Sequence, residues 1–235
     1  MSQQPDLVIA GGTVVNADGR QHAHVVIQND RVVRLVDAKH PAPFARRTID
    51  ADGRLVIPGG VDGHCHIAQI TGRYRTIDDF AIATTAALWG GTTTVMDFGI
   101  PRDVSETPLA AAQNKLELAK TARCDVALHA SVLAWDDTTA VQLEQLRRLG
   151  IPSVKMYTTN RGTTMADGDT ILRVMHEVSK YGGLVYMHAE HDATVVDCTR
   201  RHAESGHIHV RDLAGTRPAF VEETSVREVL AMAEP

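Results

Sequence analysis

The sequence predicts an α/β protein, with a small β-rich segment over residues 1–54 followed by repeated strand–helix units over residues 55–235. Three observations predict it. Short Val/Ile-rich runs separated by turn residues fill the first part. Apolar strand candidates then end near His66, Phe98, Ser131, Tyr157 and His188, at the spacing of a βα unit. Between them lie stretches whose apolar residues repeat with helical period.

In the first segment the β-type runs are Asp6–Ala10, Thr13–Asn16, His24–Gln28 and Arg31–Val36. Gly11-Gly12, Ala17-Asp18-Gly19-Arg20 and Asn29-Asp30-Arg31 separate them as turns, and Ala51-Asp52-Gly53-Arg54 closes the segment. The expected product is a small antiparallel, sandwich-type β-domain. From Leu55 onward, Asp167–Tyr181 is the most legible helix. Ile171, Val174, Met175 and Val178 form one apolar stripe, Asp167 or Asp169 supplies the N-cap, and Gly182 stands where a C-terminal glycine belongs. Thr107-Pro108 opens another helix, with Leu109, Ala112 and Leu116 along one side. Repeated βα units imply a parallel sheet with right-handed crossovers. An open doubly wound sheet and a (β/α)8 barrel both fit, and the absence of GxGxxG after any strand weakens a dinucleotide-binding version. Only about five units are present, where a closed barrel needs eight.

Bulk properties exclude several function classes. A net charge of −5 with no basic stripe argues against nucleic-acid or anionic-membrane partners. No apolar run approaches the ~20 residues of a membrane span, and the N-terminal residues lack the pattern of a secretory signal. The three cysteines are scattered and read as reduced thiols of a cytoplasmic protein.

Histidine is abundant, twelve in 235 residues, and its placement is informative. His64-Cys65-His66 ends a strand candidate, and residues two apart on a strand face the same side, so two imidazoles converge as metal ligands. His207-Ile208-His209 repeats the pattern in a polar stretch and reads as surface. Ile151–Tyr157 is an apolar strand containing one lysine, Lys155. Such a lysine either snorkels to the strand end or is buried as the neutral amine, which can add CO2 to give a carbamate able to bridge two metals. Leu184–His188 ends a further strand in His188. In a barrel the C-terminal strand ends gather on one face, so His64, His66, Lys155 and His188 form the expected metal site. His129, near the end of the third strand, reads as a packed histidine beside it.

The runs Leu55-Val56-Ile57-Pro58-Gly59-Gly60-Val61-Asp62-Gly63-His64-Cys65-His66, Gly90–Phe98, Ser153-Val154-Lys155-Met156-Tyr157 and Val185-Tyr186-Met187-His188-Ala189-Glu190 resemble the amidohydrolase superfamily. The likeness is to the dihydropyrimidinase/hydantoinase group, with allantoinase and dihydroorotase as cousins. The resemblance implies a TIM-like barrel and two divalent metal ions, zinc foremost. His64 and His66 would hold the first ion, carbamylated Lys155 would bridge, and His188 would hold the second. A metal-bridging hydroxide would then open a cyclic amide to an N-carbamoyl amino acid. Also implied are a homo-oligomer, dimer or tetramer, or pairing with a complementary C-terminal half.

Departures from the pattern narrow this. The family's further histidine and its proton-shuttling aspartate would fall beyond Pro235, so the chain reads as the first part of an incomplete barrel. Asp97 matches a position read as structural, and Glu190 and Asp192 lie in the loop after His188. Asn160 stands where hydantoinases carry a substrate-binding tyrosine, and remains a candidate substrate ligand through its amide. Ala68 replaces the arginine that dihydroorotases use to grip a carboxylate; Arg73, Arg75 and Arg161 read as solvated loop residues. Alternatives are an allantoinase-like or other cyclic-ureide hydrolase and, in another class, a non-catalytic dihydropyrimidinase-related scaffold. With two sheet edges unpaired, the isolated chain is expected to aggregate or to pair.

Overall fold

The computed structural model describes residues 4–234. The chain divides into two compact units, Met1–Gly60 and Val61–Pro235.

The first unit is one five-stranded mixed sheet, where the sequence predicts an antiparallel, sandwich-type domain; no second sheet forms among its described residues. Its strands are β1 (Leu7–Asn16), β2 (Gly19–Gln28), β3 (Arg31–Asp37), β4 (Arg47–Asp50) and β5 (Leu55–Val56). The β1–β2 and β2–β3 pairs are antiparallel, whereas β4 and β5 both run parallel to β1. Leu55 and Val56 therefore still belong to this sheet, two residues past the expected boundary at 54. Asn29 and Asp30, both at positive φ, make the two-residue turn between β2 and β3. That conformation matches the right-handed strand twist, and Asn and Asp tolerate it.

Gly11-Gly12 is not a turn. The pair forms a bulge inside a single long β1, with Gly11 at φ +73°. The bulge takes the Gly11 N–H off the ladder, and the Nδ1 of buried His24 accepts it at 2.9 Å. His24 Nε2–H in turn donates to the His40 carbonyl at 3.0 Å. A Cβ on Gly12 would stand 2.4 Å from the Val56 side chain, so only glycine fits there.

The second unit is a curled, five-stranded parallel α/β sheet. It begins with β6 (Gly60–Asp62) and a small hairpin, β7 (Ile70–Thr71) and β8 (Tyr74–Arg75). Helix α1 (Phe80–Trp89) follows, then β9 (Thr92–Gly99), α2 (Pro108–Ala119), β10 (Asp125–Ser131) and α3 (Thr139–Arg148). After these come β11 (Ser153–Tyr157), α4 (Gly168–Ser179), β12 (Leu184–His188), α5 (Asp192–Glu204), a short 3-10 turn, α6 (Leu213–Thr216) and α7 (Ala219–Ala233). The strand order is β12-β11-β10-β9-β6, and the β9–β10, β10–β11 and β11–β12 pairs are parallel. A doubly wound sheet reverses its order at a switch point. Here the order never reverses, which is the progression of a half-barrel.

The predicted caps form. Thr107 accepts from the Ala110 N–H, and Asp167 rather than Asp169 accepts from the Thr170 N–H. Gly182 is at φ +66°. Residues alternating along the strands split between two faces. Leu128, Ala130, Val154 and Met156 turn outward and pack with Ala112, Leu143, Leu146, Ile171, Val174 and Val178 from α2, α3 and α4. Gly99 belongs to the same layer, and a Cβ there would stand 2.6 Å from the Ala112 Cα. Val185 and Met187 pack against this core as well. The other residues of each strand therefore face the concave side, and they include Phe98, His129, Ser131, Ser153, Lys155, Tyr157, Tyr186 and His188. Among the described residues no helix is long and apolar enough to cross a membrane.

Candidate functional site on the concave face

Strand register arranges these residues in rows. Phe98 is level with His129, Ser131 with Lys155, Lys155 with Tyr186, and Tyr157 with His188. His64 and His66 join them from a segment that is not strand. The sequence places this pair at a strand end; β6 stops earlier, at Asp62, because the Asp62 carboxylate accepts the His64 N–H at 3.0 Å and turns the chain. Pairing with β9 resumes at Cys65, whose N–H donates to the Met96 carbonyl at 3.0 Å. Flanking this one paired residue, both imidazoles lie over Phe98, with ring centroids 4.7 Å from it for His64 and 4.9 Å for His66. Their own centroids are 5.3 Å apart.

Phe98 is completely buried and is the floor of the site. His129 stacks beside it at 5.0 Å and on Tyr186 at 5.3 Å. His129 Nε2–H donates to the Gly63 carbonyl at 3.3 Å, which leaves Nδ1 to accept from the Ser153 hydroxyl at 2.7 Å. It is a packed, neutral histidine, as its sequence context predicts, and it ties the HxH segment to β10.

Lys155 is 2% exposed on a strand whose five residues are all buried. It does not snorkel. Its ammonium nitrogen lies 5.5 Å from the Phe98 ring centroid, 5.2 Å from Tyr157 and 5.0 Å from Tyr186, an aromatic surround. Burial holds its pKa below the ordinary lysine value. Burial also pushes the Tyr157 hydroxyl and the Cys65 thiol up to about 12. His64 is held below its usual value by partial burial and then by Lys155 and His129, against a smaller upward pull from Asp62. His66 is lowered by burial, partly offset by Asp97. The common direction is neutral nitrogen. The buried hydroxyl of Ser131, in register with Lys155, has no hydrogen-bond partner among the described residues.

His188 lies at the rim, its side chain 44% exposed. Its Nε2 is 2.9 Å from Glu190 Oε2, and Glu190 Oε1 is 3.2 Å from the Arg217 guanidinium. Glu190 so fixes the Nε2–H tautomer and leaves Nδ1 open. Asp192 is not a loop residue: it is the first residue of α5, buried, and bonded to Arg161 and Thr159. Arg161 is thus anchored to Asp192 although its side chain stays 59% exposed. Asn160 is in a left-handed conformation after β11, and its amide donates to Thr164 at 3.4 Å, not to any member of the cluster. Among the described residues no three His, Cys, Asp or Glu side chains stand close enough to hold a metal on their own.

Sequence reasoning missed Ser131 and Lys115. Lys115 falls three and four residues after Ala112 and Ala111, on the buried face of α2, and a lysine at that helical spacing was the available signal.

Because His129 is buried and held below 6.5 chiefly by burial, its charging must be avoided in the folded state. A base with a depressed folded pKa favours folding above its unfolded value, and that stability is lost as pH falls through the folded pKa. The urea midpoint is expected to fall on moving from about pH 7.5 to about pH 5.5, and His129→Asn should flatten the decline. An equal decline in that variant would remove His129 as the cause.

The strands carry their polar residues to the C-terminal ends of a singly wound sheet, and this fold and face define an α/β half-barrel scaffold. The amidohydrolase family model matches residues 55–229, and the chain belongs to the amidohydrolase family. It is 36% identical over 230 residues to a D-hydantoinase of Ralstonia pickettii, covering 97% of this chain and 50% of that protein. It is 31% identical over 228 residues to a dihydropyrimidinase of Arabidopsis thaliana, covering 97% and 42%. A solved D-hydantoinase structure superposes with a TM-score of 0.90 at 34% identity, over 97% of this chain and 49% of that one. The chain spans about half the length of the relatives it matches.

Proposed function

We propose that this chain supplies the metal-binding face of a hydrolase that opens cyclic amides, of the dihydropyrimidine or hydantoin type, to N-carbamoyl amino acids. The observation that carries the reading is a pair of imidazoles and one buried, neutral-leaning lysine turned to the same concave face.

The donor set fits divalent ions in its chemistry. His64 and His66 offer neutral nitrogen lone pairs, His188 has Nδ1 open, and the unpartnered Ser131 hydroxyl lies in register with Lys155. His64 and His66 would hold one ion and His188 the second, with Lys155 between, and zinc suits the nitrogen donors. When bound, such ions polarise a carbonyl and activate water at neutral pH. The neutral amine of Lys155 adds CO2: a nitrogen–carbon bond forms, the amine proton leaves to solvent, and a carbamate anion results. The Ser131 hydroxyl would donate to it. Phe98, Tyr157 and Tyr186 shield this anion from water. Asn160 is the proposed amide donor to the substrate ring, on leaving Thr164. A cytoplasmic homo-oligomer, or assembly with a complementary half-barrel, completes the proposal.

Zinc titration of the purified chain in bicarbonate buffer tests this, with ring opening of hydantoin and dihydrouracil followed by mass as the gain of one water. Zinc should bind, and His64→Asn/His66→Asn should abolish it. A chain that takes up no zinc and opens no ring would sink the proposal.

A further inference from the structure

We infer that Lys115 is a positioning residue for the His64–His66 pair, acting through a buried clamp on the residue that follows it. The inference rests on the metal-site reading above only in what the pair is for. The clamp itself is geometry.

Ile67 comes directly after His66, and both of its backbone groups are held by a single ion pair. Its N–H donates to Asp97 Oδ2 at 3.0 Å. Its carbonyl accepts from Lys115 Nζ at 2.7 Å. Lys115 Nζ and Asp97 Oδ2 are themselves 3.2 Å apart, with side-chain exposures of 8% and 0%. The other Asp97 oxygen accepts from the Phe98 N–H at 2.6 Å. Asp97 therefore holds, with its two oxygens, the backbone of the residue after His66 and that of the ring beneath both imidazoles.

The two charges come from different elements, Asp97 from the outward-facing row of β9 and Lys115 from α2. The segment they hold, Gly63–Ala68, has no strand ladder of its own beyond the single Cys65 bond to β9. Ala68 immediately afterwards sits at φ +49°, a left-handed conformation costly for alanine that persists only where neighbours impose it. A loop with one ladder bond would let the imidazoles rotate independently. Fixing Ile67 at both N–H and C=O removes that freedom on one side of His66, as Cys65 does on the other.

A lysine suits this role better than an apolar residue. It reaches the carbonyl and neutralises a carboxylate that no solvent reaches. Replacement leaves Asp97 buried without its counter-charge, so the loss is transmitted to Ile67 and Phe98 together. The pair sits on the far side of β9 from the imidazoles and touches neither. It is a positioning device, not part of the reacting set.

The test compares Lys115→Met, Asp97→Asn and, as a control of unrelated packing, Leu146→Ala in the outer core. For each full-length chain the zinc dissociation constant is measured by chelator competition, alongside the urea midpoint and hydrogen exchange of the Ile67 amide. Lys115→Met is expected to weaken zinc binding at least tenfold, on the scale of lost outer-shell support, and to speed Ile67 exchange at least tenfold. Asp97→Asn should act in the same direction if Lys115→Met does not fold. Leu146→Ala should lower the urea midpoint while changing zinc affinity less than about twofold. Wild-type zinc affinity in both clamp variants, or an equal loss in Leu146→Ala, would overturn the inference. If the wild-type chain binds no zinc, the metal reading fails separately. The clamp then stands or falls on whether Ile67 exchange accelerates in Lys115→Met and not in Leu146→Ala.

Discussion

Lys155→Met is expected to give a chain that resists urea better than the wild type and that, on the proposed function, lacks the means to hold two zinc ions. The two effects have one cause. Lys155 occupies a strand position 2% exposed, with aromatic rings around its nitrogen and no carboxylate paired to it among the described residues. Burial already disfavours its charge, so folding at neutral pH must either strip a proton from the amine or bury an ammonium. Methionine has nearly the same length and flexibility and carries no charge. Removing a buried polar group without a compensating hydrogen bond is worth about 1–3 kcal/mol in proteins, so a gain of about that size is expected in urea unfolding. Zinc uptake should fall to at most one ion, weakly bound by His64 and His66, because no third His, Cys, Asp or Glu joins them among the described residues. Sites kept for function commonly cost stability in this way. A Lys155→Met chain that is less stable, or that still binds two ions, would show that the amine serves the fold rather than the site.

Much of this arrangement is legible in the sequence. The βα rhythm, the Thr107 and Asp167 caps and the Asn29-Asp30 turn are local signals, and local hydrogen bonds decide them. The shared face of Lys155 and His188 is legible too, since period-two alternation fixes which side chains share a face once the strands are located. The errors arise where tertiary pairing overrides local pattern. Gly11-Gly12 looks like a turn because glycine pairs usually end strands, yet β2 continues beside β1 and absorbs the extra residue as a bulge. The strand before His64 looks longer than it is, because Asp62 turns the chain with its own side chain. Asp192 looks like a loop residue because nothing nearby in sequence reveals Arg161 as its partner. Lys115 and Asp97 are 18 positions apart, and only the packing of α2 on β9 brings them together. Ser131 is the hardest to read. A serine at a strand end carries no pattern, and its meaning comes only from being buried beside Lys155.

The dependence of the whole face on one ring makes Phe98→Ala the substitution expected to cost most. Phe98 is fully buried and meets His64, His66, His129 and Tyr186, with ring centroids 4.7, 4.9, 5.0 and 6.4 Å away. Its backbone N–H also takes one oxygen of Asp97. Truncation to alanine removes the transfer energy of the ring and leaves a cavity that strand backbones on both sides cannot collapse to fill; such changes cost about 3–5 kcal/mol. Each lost aromatic contact adds to this, at about 0.5–1.5 kcal/mol for a pair. Since a domain of ordinary stability has about 5–15 kcal/mol in hand, the variant should unfold at a much lower urea concentration with an unchanged slope. Phe98→Leu separates volume from shape. Leucine restores most of the bulk, so its cost should stay near or below about 1.5 kcal/mol, but it offers no flat face for the two imidazoles. Zinc affinity is therefore expected to fall in Phe98→Leu by more than its small loss of stability accounts for. Equal stability and equal zinc affinity in Phe98→Leu would mean that the HxH segment is held by its backbone bonds alone, and that the ring merely fills space beneath it.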